Sequence, residues 1–265
     1  VGYQNDTLNV SSLNPKIFLI SDTELDEVSL EYNSKSSSVS LLSPANIINI
    51  SSKELLKAAC CNLAESFETT PSIDVNFSDA ISGRKQINML GLSSPNILMS
   101  VENIPSIRGA LQSYGLTYIP GTWIESLQVA KGSGSVVNGY ESISGQINTE
   151  LRKPLTDDMF FLNLFANAME RLELNAHYTY NLSNKLDHGL YFHSNQKTTS
   201  ADNNNDGFRD SPTGKQLNIL NRFQYTNPEK GLVGFFDFNY VFDERTYGEN
   251  EYIEQYSFLF PENQN

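Results

Sequence analysis

GTWIESLQVAKGSGSVVNGYESISGQINTELRK, residues 121–153, decides the fold. It holds two short apolar and β-branched runs, Trp123 to Val129 and Ile143 to Leu151, joined by a Gly- and Ser-rich segment. Gly132, Gly134, Gly139 and Gly145 let the backbone take positive φ or let another backbone lie close. The stretch therefore predicts strand, tight irregular turn and strand within a compact β-containing module.

A phosphate-cradling loop would need GxxxxGK[ST], or GxGxxG between a strand and a helix. Here the glycines lead into Ile143-Ser144-Gly145-Gln146-Ile147, which alternates as a strand does, so nucleotide binding is set aside. A Gly-rich turn in some other all-β protein stays open on physical grounds. The spacing resembles the C-terminal half of the plug domain of TonB-dependent outer-membrane receptors. Ile124, Glu125, Val129, Lys131, Gly132, Ser135, Gly139, Gly145, Ile147, Asn148 and Lys153 fall on that pattern, whereas Gln128, Gly134 and Asn138 depart from it.

Composition narrows the classes. The chain has 265 residues and a formal net charge of −13, which argues against nucleic acid, since phosphate binding relies on clustered Lys and Arg. No apolar run approaches the eighteen or so residues of a membrane helix. A water-soluble protein and a β-barrel remain. The two cysteines, Cys60 and Cys61, are neighbours in sequence and poorly placed to bond to each other, so no disulfide framework is expected.

Taken in order, Val1-Gly2-Tyr3 through Ile17 to Ile20 reads as the tail of a small β-domain. It resembles the carboxypeptidase-regulatory-like extension that precedes the plug in receptors of the Bacteroidota. Leu25, Asp26, Glu27, Val28, Ser29 and Leu30 precede a Ser-rich linker. They are either a last strand with a tether or, as the resemblance implies, a TonB box offered by edge pairing to the periplasmic TonB protein. Ser51 and Glu54 form a capping box, and Leu56, Cys60, Leu63 and Phe67 continue as an apolar helical stripe. The helix is expected to end before Pro71. Cys60 then reads as a small buried hydrophobe and Cys61 as the more accessible thiol. The paired sulfurs, with Met89 and Met99, are also a copper(I) candidate, although methionine commonly fills gaps in a core.

Ile73 to Phe77 alternates as a strand, and Ile87-Asn88-Met89-Leu90-Gly91 stands where the family has an Arg in place of Leu90. Residues 92–122 are broken by Pro and Gly and read as loops. In the resembling plugs such loops face outward and touch ligand, which makes Met99, Arg108, Gln112 and Tyr114 candidate contacts.

After Pro154 most of the chain's Phe and Tyr residues appear and alternation becomes the rule. Within Arg171 to Leu182 the even positions are apolar and the odd ones polar. Similar faces run through Phe160–Ala166, Leu190–Phe192, Leu217–Tyr225 and Leu232–Phe242. Five such runs of about ten to twelve residues suit tilted bilayer-crossing strands, whereas strands of a soluble sandwich are nearer about five or six. Connections are expected to be short at 183–185 and 227–231 and long at 199–215. That long loop holds Asp202, Asn204, Asp206 and Asp210 in a D-x-N-x-D-G spacing, either a calcium-ordering loop or a polar Asx-rich turn. His177, His188 and His193 are singly placed and not expected to bind metal.

The fold class expected is an α+β plug domain followed by antiparallel transmembrane β-barrel strands of an incomplete barrel. The divisions are 1–31 (extension tail and TonB-box candidate), 32–46 (linker), 47–153 (plug) and 154–265 (first barrel strands). By the resemblance, the function is active uptake across the bacterial outer membrane, with the plug gating the barrel. Its partners would be TonB with ExbB/ExbD energy coupling, outer-membrane lipid and a small ligand such as a siderophore or metal complex. The extension and plug would reach the periplasm. No catalytic constellation is present by motif, so no enzyme is expected. The alternatives are a secreted all-β binding or adhesion protein, and a receptor relative with a signalling or secretion role. The acidic loops weigh against polyanionic ligands.

Overall fold

The computed structural model describes residues 37–39, 47–55, 62–67, 73–77, 85–134, 139–168 and 170–250. The extension, the linker apart from residues 37–39, the TonB-box candidate Leu25 to Leu30, Leu56, Cys60, Cys61, Pro71, Ser135 and Asn138 lie outside the described residues. One sheet forms the centre of an inner domain. It runs in the order β1 (Ser37–Val39), β2 (Ile47–Ser51), β8 (Ile124–Lys131), β9 (Gly145–Leu151), β6 (Ile97–Val101), β7 (Ile104–Pro105). A second, small sheet is the meander β3 (Asp74–Phe77), β4 (Lys85–Met89), β5 (Leu92–Ser93).

The strand, turn and strand expected of 121–153 are β8 and β9, paired antiparallel with Val129 opposite Ile147. Ile124, Leu127, Val129 and Ile147 are all buried. Ile124 and Leu127 are three apart, so strict alternation would send them to opposite faces. Between Ile124 and Ser126 the register gains one residue, Glu125, and this bulge returns both side chains to the core. Gly145 is required by close approach: a Cβ there would lie 1.9 Å from Met89 Sδ and 2.8 Å from the Ala130 carbonyl.

Two expectations are corrected. The loop reading of 92–122 misses β6, which pairs parallel to β9 with Met99 opposite Ile147. A strand covered on both faces reads as a continuous apolar run rather than an alternating one, and Ile97-Leu98-Met99 is such a run, hidden behind Pro95. The single helix expected from Ser51 to Phe67 is instead α1 (Ser52–Leu55) and α2 (Leu63–Ser66) among the described residues. Asn62 is extended (φ −152°, ψ 171°), and its side chain accepts the Glu65 amide as an N-cap. Asn prefers such local bonds to helix interiors. Leu63 and Phe67 still enter the core.

Five strands follow as an antiparallel meander, the wall: β10 (Phe160–Ala166), with seven residues shorter than expected, and the long strands β11 (Arg171–Ser183), β12 (Leu186–Lys197), β13 (Thr213–Asn227) and β14 (Leu232–Thr246). The connections at 184–185 and 228–231 are short and the one at 198–212 is long, as expected, except that β13 takes Thr213 to Lys215. The polarity of the wall is inverted. Phe160, Leu164, Leu172, Phe236 and Phe238 are about 60–70% exposed, while Asn175, His193, Asn218 and Arg222 are at most 2% exposed. A soluble sandwich would bury the aromatic face. Here the polar face is the buried one, turned onto the inner domain. No helix among the described residues is long and apolar enough to cross a membrane.

Candidate functional site

The seam between inner domain and wall is where side chains of the two meet. Residues 117–124 run along the wall and are held mainly by polar side chains. Gln216 Nε2 donates to the Thr117 carbonyl (2.8 Å) and Asn218 Nδ2 to the Tyr118 carbonyl (2.8 Å). Thr122 Oγ1 donates to Asn175 Oδ1 (3.1 Å), which also sits 2.7 Å from His193 Nδ1. The chain then crosses a small apolar patch, Trp123, Leu151, Tyr191 and Leu220. Beyond it, Asp157 accepts from Arg152 (2.7 Å) and from the Tyr191 hydroxyl (3.2 Å), with His177 Nε2 at 3.3 Å.

A further contact of the seam is built around Arg222. It is fully buried, places Nη2 2.9 Å from Glu102 Oε1 and Nη1 3.5 Å from Asp237, and stacks 4.5 Å from the Phe235 ring centroid. Glu102 lies in the tight turn from β6 to β7, where Glu102 and Asn103 both take positive φ (52° and 63°). Asn148 holds that turn: its Oδ1 accepts from the Asn103 amide (2.8 Å) and from Ser100 Oγ (3.0 Å). Glu102 Oε1 also accepts the Leu151 amide (2.9 Å). Burial raises the Glu102 carboxyl above its ordinary range, with Arg222 opposing the shift. Thus Asn148, singled out in the sequence as a motif residue, positions the carboxylate that meets the wall.

At the end of the wall bearing the long 198–212 loop, a cavity of ≈ 650 Å³ opens between Glu65, Lys85 and Thr117 of the inner domain and the ends of β11 to β14. Of the loop 106–118, Thr117 reaches this cavity. The candidate contacts are placed otherwise. Met99 is buried in β6 and belongs to the core, which corrects the expectation that it faces ligand. Arg108 pairs with Glu141 (2.7 Å), whose carboxyl that hydrogen bond holds below its usual range. Gln112 Nε2 donates to the Ser94 carbonyl (3.1 Å), and the Tyr114 carbonyl accepts from Thr117. The structure brings these three onto one loop, outside the lining of the cavity.

Among the remaining motif residues, Glu125 pairs with Lys153 (3.3 Å), Lys131 ends β8 exposed, and Gly132 and Gly139 carry φ of 92° and 151°. In the 198–212 loop the acidic side chains bind the loop's own amides. Asp202 accepts from the Asp206 and Gly207 amides, Asp206 from Phe208, and Asp210 from Asn203, while Asn204 Nδ2 donates to Asp206. These bonds from backbone amides to Asp side chains are of the Asx type. No group of three or more His, Cys, Asp or Glu suited to a metal occurs among the described residues. Arg222, Glu102, Asp157 and Glu65 were not singled out by sequence. A signal existed for Arg222 alone, a charge on the polar face of a strand whose other face is apolar; Glu102 and Asp157 lie in turns and Glu65 in a short helix.

Residues 41–146 match the family model for the TonB-dependent Receptor Plug Domain. Among solved structures, the chain is similar to the pyoverdine outer membrane receptor FpvA from Pseudomonas aeruginosa PAO1 (TM-score 0.62, 17% identity, 77% of this chain and 28% of that one). It is also similar to the copper transporter OprC (TM-score 0.61, 16% identity, 80% and 33%) and to the ferric-catecholate import receptor Fiu from E. coli K12 (TM-score 0.59, 13% identity, 77% and 28%). At these identities the likeness is one of fold: a plug domain followed by antiparallel strands of the kind that build the receptors' barrels. The chain spans 28% to 33% of the length of these three structures.

Proposed function

We propose that this chain is the plug and opening barrel wall of a TonB-dependent receptor that imports a small ligand across a bacterial outer membrane. One observation carries the reading: a wall whose apolar face is exposed and whose polar face grips a plug. An exposed aromatic and aliphatic face over five strands is costly in water and favourable in lipid. The polar seam suits a part that must detach, because water entering the seam can replace its hydrogen bonds, whereas an apolar interface would resist opening. A secreted adhesion protein has no use for this inversion.

In this reading ligand binds on the side of the 198–212 loop, and TonB, driven by ExbB/ExbD, pulls from the periplasm on Leu25 to Leu30, paired as an edge strand. Residues 1–31 then belong to a carboxypeptidase-regulatory-like extension of the Bacteroidota type. No bond is made or broken by the chain. The similar structures are named for pyoverdine, copper and a ferric catecholate, which supports a metal or metal complex as cargo. Two measurements on the full-length protein test the proposal: heat-modifiable migration after detergent extraction, and accumulation of labelled ligand by cells with and without an energised inner membrane. Migration without a heat shift, or accumulation indifferent to energisation, would overturn it.

A further inference from the structure

We infer that the loop 198–212 is a fixed rim of the wall rather than a closing lid. A second, short ladder fastens it to the chain that follows β14, and Asp202 and Arg209 are the positioning residues of that fastening. The inference rests on the transport reading only for calling this end of the wall outer. It adds that this side of the mouth has its shape before any ligand arrives.

The place of the ladder follows from the sheet beneath it. β13 begins and β14 ends side by side, with Thr213 opposite Thr246, so the chains beyond that pair leave the wall together. Pro212 has no N–H to donate, and the pairing stops there. It resumes at Phe208 and Glu249, which form an antiparallel bridge. Both backbone bonds of that bridge are made: the Arg209 amide donates to the Gly248 carbonyl (2.9 Å) and the Asn250 amide to the Gly207 carbonyl (2.8 Å). Residues 209–212 separate the bridge from the wall on one side and residues 247–248 on the other. Gly207 and Gly248, beside the bridge, carry φ of 85° and 92°, backbone that other residues rarely adopt.

Side chains close the same joint. Arg209 Nη1 donates to the Glu249 carbonyl (2.6 Å) and Nη2 to the Asn250 carbonyl (3.4 Å). Asn250 Nδ2 donates to Asp202 Oδ2 (3.3 Å), and the same carboxylate accepts the Asp206 amide (3.1 Å) and the Gly207 amide (3.0 Å). Asp202 thus ties the turn 202–207 to the facing chain. At the neck of the loop the Asp210 amide donates to the Ala201 carbonyl (2.8 Å). On the other flank Thr199 Oγ1 donates to the Glu170 carboxylate, in the turn between β10 and β11. A lid is drawn from segments with few such bonds, whereas this loop is bonded at its neck, its turn and both flanks. An already ordered rim loses little conformational entropy when a ligand arrives.

Hydrogen exchange of the purified full-length protein in detergent, read by mass spectrometry with no ligand added, tests this. Peptides holding Arg209, Asp210 and Asn250 are expected to exchange about tenfold or more slowly than the same peptides in urea-unfolded protein. Asp202→Ala with Arg209→Gln should bring them close to the unfolded rate while the amides of β13 and β14 keep their protection and heat-modifiable migration confirms folding. Asp202→Asn alone, which keeps one acceptor oxygen and the arginine, should fall between the two. Loop amides of the wild type exchanging at the unfolded rate, or a double variant as protected as the wild type, would overturn the inference. So would loss of protection in EDTA, which would assign the order to a bound cation and not to the ladder. If the protection is found but the wild type shows no heat shift, the transport reading fails and the rim stands.

Discussion

The plug sheet and the barrel wall are built from the same alternating pattern and bury opposite halves of it. In β8 the apolar positions Ile124, Leu127 and Val129 are buried and Glu125 is exposed. In β11 and β13 the apolar positions Leu172 and Tyr225 are exposed, while Glu173, Asn175, Asn218 and Arg222 are buried. Periodicity states that two faces differ; the surroundings decide which one turns inward. An apolar face goes to whichever apolar medium is available: a protein core for β8 and, in the proposed reading, lipid for the wall. Charge sits inside the wall in pairs: Arg222 with Glu102 of the plug and Asp237 of β14, and Glu173 with Arg171.

Substitutions that put charge where each region excludes it test this contrast. The largest effect is expected for Leu127→Asp, which places a carboxylate in a fully buried apolar site of the plug and should cost about 4 kcal/mol or more. Protease resistance of the plug within the full-length protein would report it, and retained resistance would mean that the plug core is not a core. Arg222→Leu should cost about 3–5 kcal/mol by leaving Glu102 and Asp237 without their cation. Adding Glu102→Gln and Asp237→Asn to it should recover most of the loss in urea unfolding. If recovery fails, packing against Phe235 rather than charge is what holds the seam.

Phe238→Arg, near the middle of β14 on the outward face, should cost about 2–4 kcal/mol in lipid vesicles. An unchanged unfolding midpoint there would mean that this face meets water and would dissolve the comparison. Asn62→Ala removes the cap of α2 and should cost about 1 kcal/mol, confined to the plug and leaving migration of the barrel unchanged.

The smallest effect is a slope with pH. The folded-state carboxyl of Glu102 is raised above its ordinary value by burial. Its contribution to stability is therefore fully present below the ordinary carboxylate value and is lost as pH rises through the raised one. Glu102→Gln should flatten that slope just above the usual carboxylate range, and identical slopes in both proteins would show that Glu102 titrates as it does in the unfolded chain.

Much of this was legible in the residues themselves. The β8–β9 pair, the glycines of its turn, the five wall strands and the order of short and long connections follow from local chemistry: period-two alternation, positive φ and turn residues act over a few positions and leave a trace in sequence. Three features were decided by tertiary structure. Ile97-Leu98-Met99 became a strand because β9 lay alongside to pair with it, and nothing local distinguishes such a run from a broken loop. The helix parted at Asn62 because the Leu63 amide donates to the Ile119 carbonyl, more than fifty positions away in sequence. The seam joined residues as distant as Glu102 and Arg222, or Thr122 and Asn175. Which polar side chains meet depends on register and on what the wall encloses. Those are properties of the assembled sheets, and no single segment of the chain contains them.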